Sequence, residues 1–502
     1  MWKKLLITGC VTFSLLSGGT LSAQPSCEIK EEVTSEQLDR TQKELVAMMK
    51  ELKNDSYFQT ELDKAAVQSS LSKRMAAYKD LTVRLLSVLE IQAELEWMKP
   101  EAIQEALGIM KKSSGFDAVL ADKRFGELKS LLAGGFDGIY TGDAQAIDKA
   151  NKTLTLKRKL MLMSPDVNVD KMLTVKFDLG ERANFVGAGS LGIQPNNWSN
   201  LSSASRKNFK AQLVELSGLQ SGELSEKVLY KPAVDGSSVT DLVLNWDGKR
   251  LMFTALDTTR RWQVHELDIN NGEAKQVTNI PEPDLEFFDG TYLPDGRMLA
   301  ISNIGYQGVP CVNGSDAVGN MVLYDPSNGY LRRLTFDQDA NWHPVVMANG
   351  KVMYVRWEYT DLTHYFSRIV MHMNPDGTEQ KSLYGSGSMF PNSIFDVQPL
   401  PKHTNRFVGV ISGHHGVARS GRLMIFDPAK SRKEEKGMIQ ELPFRGRPII
   451  PEVKDELVNG VWPQFIKPYP LTDETFLVTA KLSPYSRWGI YLVDIYDNLT
   501  LV

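Results

Sequence analysis

Trp246-Asp247-Gly248-Lys249-Arg250-Leu251-Met252-Phe253 is the stretch that decides the fold class. An Asp-Gly pair supplies the positive φ that a two-residue hairpin turn needs, and the apolar residues after it read as a strand. The same grammar recurs at Leu293-Pro294-Asp295-Gly296-Arg297-Met298-Leu299-Ala300 and at Ala348-Asn349-Gly350-Lys351-Val352-Met353-Tyr354. Each copy leads to a further short strand: Val264–Asp268, Met321–Asp325 and Ile369–Met373. A polar turn and a basic or polar strand follow, as in Leu331-Arg332-Arg333-Leu334-Thr335. Four strands repeating at roughly 45–55 residues match the blades of a β-propeller. Further copies lie around Arg406–Asp427 and Thr475–Asp494, and Gln194–Tyr230 supplies a degenerate one. The expectation is a mainly β chain with about six blades. Five blades, or the open sheet of a truncated chain, is the alternative.

Upstream the periodicity changes from two to three or four. Thr34-Ser35-Glu36-Gln37 has the spacing of a capping box, and Leu38, Leu45, Met48, Met49 and Leu52 then fall on one face. A second stripe runs through Val67, Leu71, Met75, Tyr78, Leu81, Leu85 and Leu89 to Lys99-Pro100, where proline cannot continue the helix. More helix is expected over 101–112, 116–132 and 143–163. These stripes imply helices packed on one another or on the following domain, with coiled-coil dimerisation as the alternative.

Lys3 and Lys4, the apolar stretch Leu5–Leu21 and the small Ala23 before Gln24 read as an export signal. The expected division is a signal peptide over 1–23, a helical domain over 24–165 and a propeller over 166–502. Ile7-Thr8-Gly9-Cys10 resembles a lipoprotein cleavage box. Only five residues separate Lys4 from Cys10, however, fewer than the roughly 7–15 of an export core. The expected location is therefore exported and periplasmic, with lipid anchoring the lesser alternative. No other segment is expected to span a bilayer. The 502 residues carry a net charge of −4, with 42% hydrophobic and 24% charged residues. That balance gives no basic surface for nucleic acid. After cleavage only Cys27 and Cys311 of the three cysteines would remain, too few for a disulfide framework.

Several strings go beyond blade grammar. Arg356-Trp357-Glu358-Tyr359-Thr360-Asp361 leads into His364-Tyr365-Phe366-Ser367-Arg368. Ser412-Gly413-His414-His415-Gly416-Val417, Gly460-Val461-Trp462-Pro463 and Gly489–Asp494 follow, with Lys157–Leu160 and Asn196-Asn197-Trp198 upstream. Over about residues 150–502 these resemble the middle and propeller region of the hydrazine synthase alpha-subunit family. The resemblance is to its non-haem, secreted members, and it implies WD40/TolB-like blades in an exported protein. Haem-bearing members attach c-type haem through Cys-x-x-Cys-His. This chain lacks that motif, so neither covalent haem nor hydrazine chemistry is expected.

All seven histidines follow residue 264, which concentrates metal or acid–base chemistry in the propeller. His265 and His372 are expected at equivalent strand positions with structural roles. His414 and His415 sit between Gly413 and Gly416, where backbone can approach a ligand closely. Cys311, His364 and His415 form a candidate metal set, since thiolate and imidazole suit zinc. Structural hydrogen bonding and a buried thiol are the alternative for the same residues. Arg356, Glu358, Asp361 and Arg368, with His414, form the candidate binding set. They could line a polar pocket holding an anionic group, with Glu358 or Asp361 as a general base. An ion-pair network tying neighbouring blades is the commoner use of such residues. No Gly-x-Ser-x-Gly, phosphate loop, dinucleotide fingerprint or His-Glu-x-x-His is present. The expectation is a ligand- or partner-binding module. A metal-assisted hydrolase or lyase, and a subunit of a larger assembly, are the alternatives.

Overall fold

The computed structural model describes residues 33–167, 171–177, 197–219, 221, 223–359, 367–414 and 419–502, with Cys311 described for its backbone alone. The expected signal segment, Asp361, His364 and His415 therefore lie outside the described residues.

Helices come first: α1 Ser35–Met49, α2 Ser56–Ala66, α3 Leu71–Leu95, α4 Pro100–Met110, α5 Ala118–Leu132 and α6 Ala144–Met161. The capping box at Thr34 forms as its spacing predicts, with both reciprocal bonds to Gln37 present. Pro100 does end the preceding run, and it also occupies the first turn of α4, where its missing N–H costs nothing. Helix α2 breaks the expected layout, because Phe58, Leu62 and Ala65 supply too short a stripe to stand out. The α1 stripe is buried inside the chain: Leu38, Leu45, Met48, Met49 and Leu52 share a core with Met75, Leu81, Leu85 and Leu89 of α3. The intramolecular bundle, not a coiled-coil dimer, thus accounts for that periodicity.

The rest of the chain is mostly β. Among the described residues there are a three-stranded sheet and five four-stranded groups, each an antiparallel meander. The first holds β1 Lys171–Phe177, β2 Ala211–Ser217 and β3 Ser225–Tyr230. The second holds β4 Val239–Leu244, β5 Arg250–Leu256, β6 Trp262–Asp268 and β7 Ala274–Gln276. The third holds β8 Phe287–Tyr292, β9 Met298–Ser302, β10 Asn320–Asp325 and β11 Tyr330–Arg333. The fourth holds β12 Asn341–Val346, β13 Val352–Trp357, β14 Arg368–Met373 and β15 Lys381–Tyr384. The fifth holds β16 Ser393–Pro399, β17 Phe407–Ser412, β18 Arg422–Phe426 and β19 Met438–Leu442, and one parallel bridge, Arg368 to Ser393, joins it to the fourth. The last holds β20 Gln464–Pro470, β21 Thr475–Lys481, β22 Gly489–Asp494 and β23 Leu499–Leu501.

The three Asp-Gly and Asn-Gly turns form the hairpins β4–β5, β8–β9 and β12–β13, and Gly248, Gly296 and Gly350 all take positive φ there. The degenerate copy starts earlier than Gln194, since β1 belongs to its sheet. His265 and His372 both lie on the third strand of their sheets. Opposite Phe253 and Met353 they are two residues out of step relative to the turn glycines, so their positions are not equivalent. The first strands β4, β8, β12, β16 and β20 lie side by side in sequence order, which makes the arrangement propeller-like.

The helices cover the outer edge of the last sheet. A terminal strand leaves one row of carbonyls unpaired, an invitation to aggregation. Here Lys157 donates to the Leu499 carbonyl at 2.8 Å and Arg158 to that of Leu501 at 2.9 Å. Arg487–Glu90 and Arg445–Glu105 ion pairs frame the contact. Leu492 packs beneath it with Ile103, Leu107, Phe125 and Leu160.

Candidate functional site

Each first strand of the five four-stranded groups carries a bulge, and one residue at each bulge has a left-handed backbone: Asp241, Asp289, His343, Asp396 and Lys467, with φ between 49° and 55°. A bulge re-aims its side chain. Here all five turn toward one another. Lys467 Nζ lies 3.4 Å from Asp241 and 3.2 Å from Asp396. His343 spans Asp289 (3.3 Å) and Asp396 (3.4 Å) through its two ring nitrogens. Backbone N–H groups continue the chain from sheet to sheet. Asp289 donates to Asp241 at 3.2 Å, His343 to Asp289 at 2.6 Å and Lys467 to Asp396 at 3.0 Å.

Burial pushes these carboxyls up, yet Lys467 and His343 overcome it at Asp289 and Asp396, whose pKa values fall below the ordinary range. At Asp241 burial wins and the pKa rises. The three carboxylates in turn hold the Lys467 ammonium above its ordinary value, against its own burial. Arg419 lies within their field, its guanidinium 4.8 Å from the Trp342 ring and 4.4 Å from Phe395. Burial lowers its pKa to about 10, with the same three aspartates opposing.

Beyond this centre, at the end where β12, β14 and β16 begin, the sequence candidates gather. Arg356 and Glu358 pair at 2.9 Å, and Arg356 also reaches Asp337 at 3.4 Å. The Arg368 guanidinium stacks 4.0 Å from the Trp357 ring, and the His414 ring sits 5.8 Å from the same indole. Residues 197–200 lie across this end. The Asn197 carbonyl accepts from Arg368 at 3.1 Å, its amide donates to Ser412 at 3.0 Å, and Trp198 meets His414 at 5.7 Å. The Ser199 carbonyl accepts from Arg419 at 2.7 Å, and the Asn200 amide donates to the Ala317 carbonyl at 2.5 Å. A loop between β19 and β20 also contributes, since the Asp455 carbonyl accepts from the His414 backbone N–H.

Arg368 and His414 are thus brought together on Trp357, while Arg356 and Glu358 pair with each other beside Asp337. Cys311 belongs to a turn, Pro310–Val312, in the connection from β9 to β10. Among the described residues no group of three His, Cys, Asp or Glu side chains is spaced to hold a metal.

Two features were missed in the sequence. The bulge residues look like isolated charges within strands, and only aligning one blade repeat on the next would expose their common position. Asp339 sits in the loop before β12. It is 1% exposed, and neither carboxyl oxygen has a hydrogen-bond partner. Burial raises its pKa to about 6, against the attraction of Arg368.

No protein-family model matches the chain, and no curated protein matches it. Several solved structures align with part of the chain. Kuenenia stuttgartiensis hydrazine synthase aligns over 66% of this chain and 44% of that one, at 14% identity and a TM-score of 0.47. The chain therefore spans less than half of that protein's length. TolB from Acinetobacter baumannii aligns over 43% and 46%, at 18% identity and 0.30. An oligogalacturonate lyase in complex with manganese aligns over 64% and 97%, at 11% identity and 0.34.

Proposed function

We propose that the chain is an exported six-bladed β-propeller, over 166–502, that serves as a ligand- or partner-binding module, with the helical domain over 24–165 bracing its last blade. The ligand enters at the end that carries Arg356, Glu358, Arg368 and His414, and Asp361 is proposed to contact it as well. One observation supports this above others: Arg368 and His414 are held against one indole, Trp357, while the Arg356–Glu358 pair stands at the rim, partly open to solvent. Aromatic clamping removes rotamer freedom from the guanidinium before a ligand arrives, which lowers the entropy cost of binding. The Asp241–Lys467 pair supports closure of the blades around an axis.

Native mass spectrometry of the full chain, after incubation with a small-molecule extract of the producing cells, tests the proposal. A retained ligand mass is expected, lost when Arg356→Ala and Glu358→Ala are combined. Equal retention by the double variant would place the ligand elsewhere, and no retained mass would sink the reading. A zinc-dependent hydrolase or lyase is the second reading. Its proposed ligands are Cys311, His364 and His415. Stoichiometric zinc that disappears in Cys311→Ser is the result this reading requires.

A further inference from the structure

Five charged side chains cluster where the fourth sheet opens: Asp337, Asp339 and Glu358 against Arg356 and Arg368. Four have partners. Asp337 receives Arg356 at 3.4 Å and the Asn341 amide at 3.1 Å. Glu358 receives Arg356 at 2.9 Å. Arg368 donates to the Asn197 carbonyl and rests on Trp357. Asp339 alone has neither oxygen satisfied, although it is 1% exposed. Buried carboxylates ordinarily find donors, and the exceptions call for an explanation.

We infer that Asp339 is the recognition carboxylate of a subsite within this cluster and takes the primary ammonium group of a small cationic ligand. The inference rests on reading this end as the ligand site. Charge and hydrogen bonding agree on the ligand's chemistry. With three carboxylates and two guanidinium groups ionised, the cluster lacks one positive charge among the described residues. An ammonium supplies that charge, and its three donors match a carboxylate with vacant lone pairs. A hydroxyl would bring a donor without the charge, and an anion would meet a net negative site. A divalent cation needs several free oxygen ligands, whereas Asp337 and Glu358 are already engaged by Arg356. Entry passes the rim, where the side chains of Arg356, Glu358 and Asp337 are 26%, 17% and 16% exposed.

Among the described residues, the groups facing Asp339 are Arg368 from β14, Arg356 and Glu358 from the end of β13, and Asp337 from its own loop. Burial by these elements raises its pKa to about 6. At neutral pH the carboxylate is therefore ionised and ready for a cation. Below about 6, affinity should fall by roughly tenfold per pH unit as the proton competes.

Thermal unfolding of the full chain tests this, using n-butylammonium chloride against sodium and tetramethylammonium chlorides at equal ionic strength. At roughly 50 mM, as suits a fragment of weak affinity, butylammonium should raise the wild-type Tm near neutral pH, and much less at about pH 5. Asp339→Asn should melt at or above the wild-type temperature, because a strained buried charge is gone, and should lose the butylammonium response. Asp339→Glu, which keeps the charge, should retain part of it. No butylammonium-specific shift in the wild type would overturn the inference, as would a shift retained by Asp339→Asn. An Asp339→Asn chain that fails to fold would overturn it too, by showing the carboxyl to be structural. A ligand mass still retained in the native experiment would then leave the site standing with a different chemistry.

Discussion

At the residue scale the molecule's centre is unusual for where it puts charge. Asp396 is almost fully buried, accepts the backbone N–H of Lys467, and lies within ion-pair distance of both Lys467 and His343. Removing one partner of such a set costs more than the set contributes, because the remaining charges stay desolvated without compensation. Asp396→Ala should therefore lower unfolding stability by about 3–5 kcal/mol, and Asp396→Asn by less, since the amide still accepts the Lys467 N–H. Chemical denaturation at neutral pH measures both. The same aspartates set the acid response. The folded pKa values of Asp289 and Asp396 lie below the unfolded value of about 4. Their contribution is thus complete above about pH 4–5 and is lost as pH falls through the folded values. Asp339 has the opposite sign. Its pKa of about 6 makes its contribution complete below about pH 4 and progressively lost between there and about 6.

At the element scale, the interface of α6 with β23 carries the testable load. Lys157 is 2% exposed and donates to the carbonyls of Trp97 and Leu499 at 2.7 and 2.8 Å. Burial lowers its pKa to about 8, so it remains charged at neutral pH. Lys157→Met keeps the apolar stem but orphans both carbonyls, at about 1–3 kcal/mol for each buried group. Hydrogen exchange at the amides of β22 and β23 should quicken by roughly ten- to a hundredfold while the other sheets stay protected. Unchanged exchange would mean that the apolar contacts of Leu492 alone hold the edge. How far elements could be read in advance follows the same physics. Hairpins with an Asp-Gly or Asn-Gly turn were legible, because the glycine must take a conformation other residues resist. The capping box at Thr34 and the stripe of α1 were legible for similarly local reasons. Helix α2 and strand β1 were not. The first is short, and β1 is only half-buried, without the alternation that marks a strand with one buried face. In the site, Arg356, Glu358 and Arg368 stood out as a dense local run, and His414 through the glycines flanking its His-His pair. Asp339 and the five bulge residues did not, since their meaning lies in contacts between residues a whole blade or more apart.

At the scale of the whole molecule, helices and strands are joined through a shared core and a capped strand edge. The last sheet ends on β23, whose outer carbonyls are claimed by Lys157 and Arg158, and Leu471, Leu477 and Leu492 pack into a core shared with α4, α5 and α6. An exposed strand edge beside uncovered leucines is the arrangement that natural sheets avoid. A chain starting at Lys171 should therefore lose both protections at once. Its far-ultraviolet spectrum should remain that of a β protein, because the inner strands and their ionic centre are intact. On size-exclusion chromatography it should run as soluble aggregates or precipitate, while the full-length chain elutes as a discrete species. Charge added on the exposed edge and on the face the helices cover, as Leu501→Lys with Leu492→Glu, should restore solubility to the truncated chain by blocking edge pairing and breaking the apolar patch. A truncated chain that elutes discretely without those changes would show that the strands complete their own edge, and the helices would then be free to serve a partner instead of the fold.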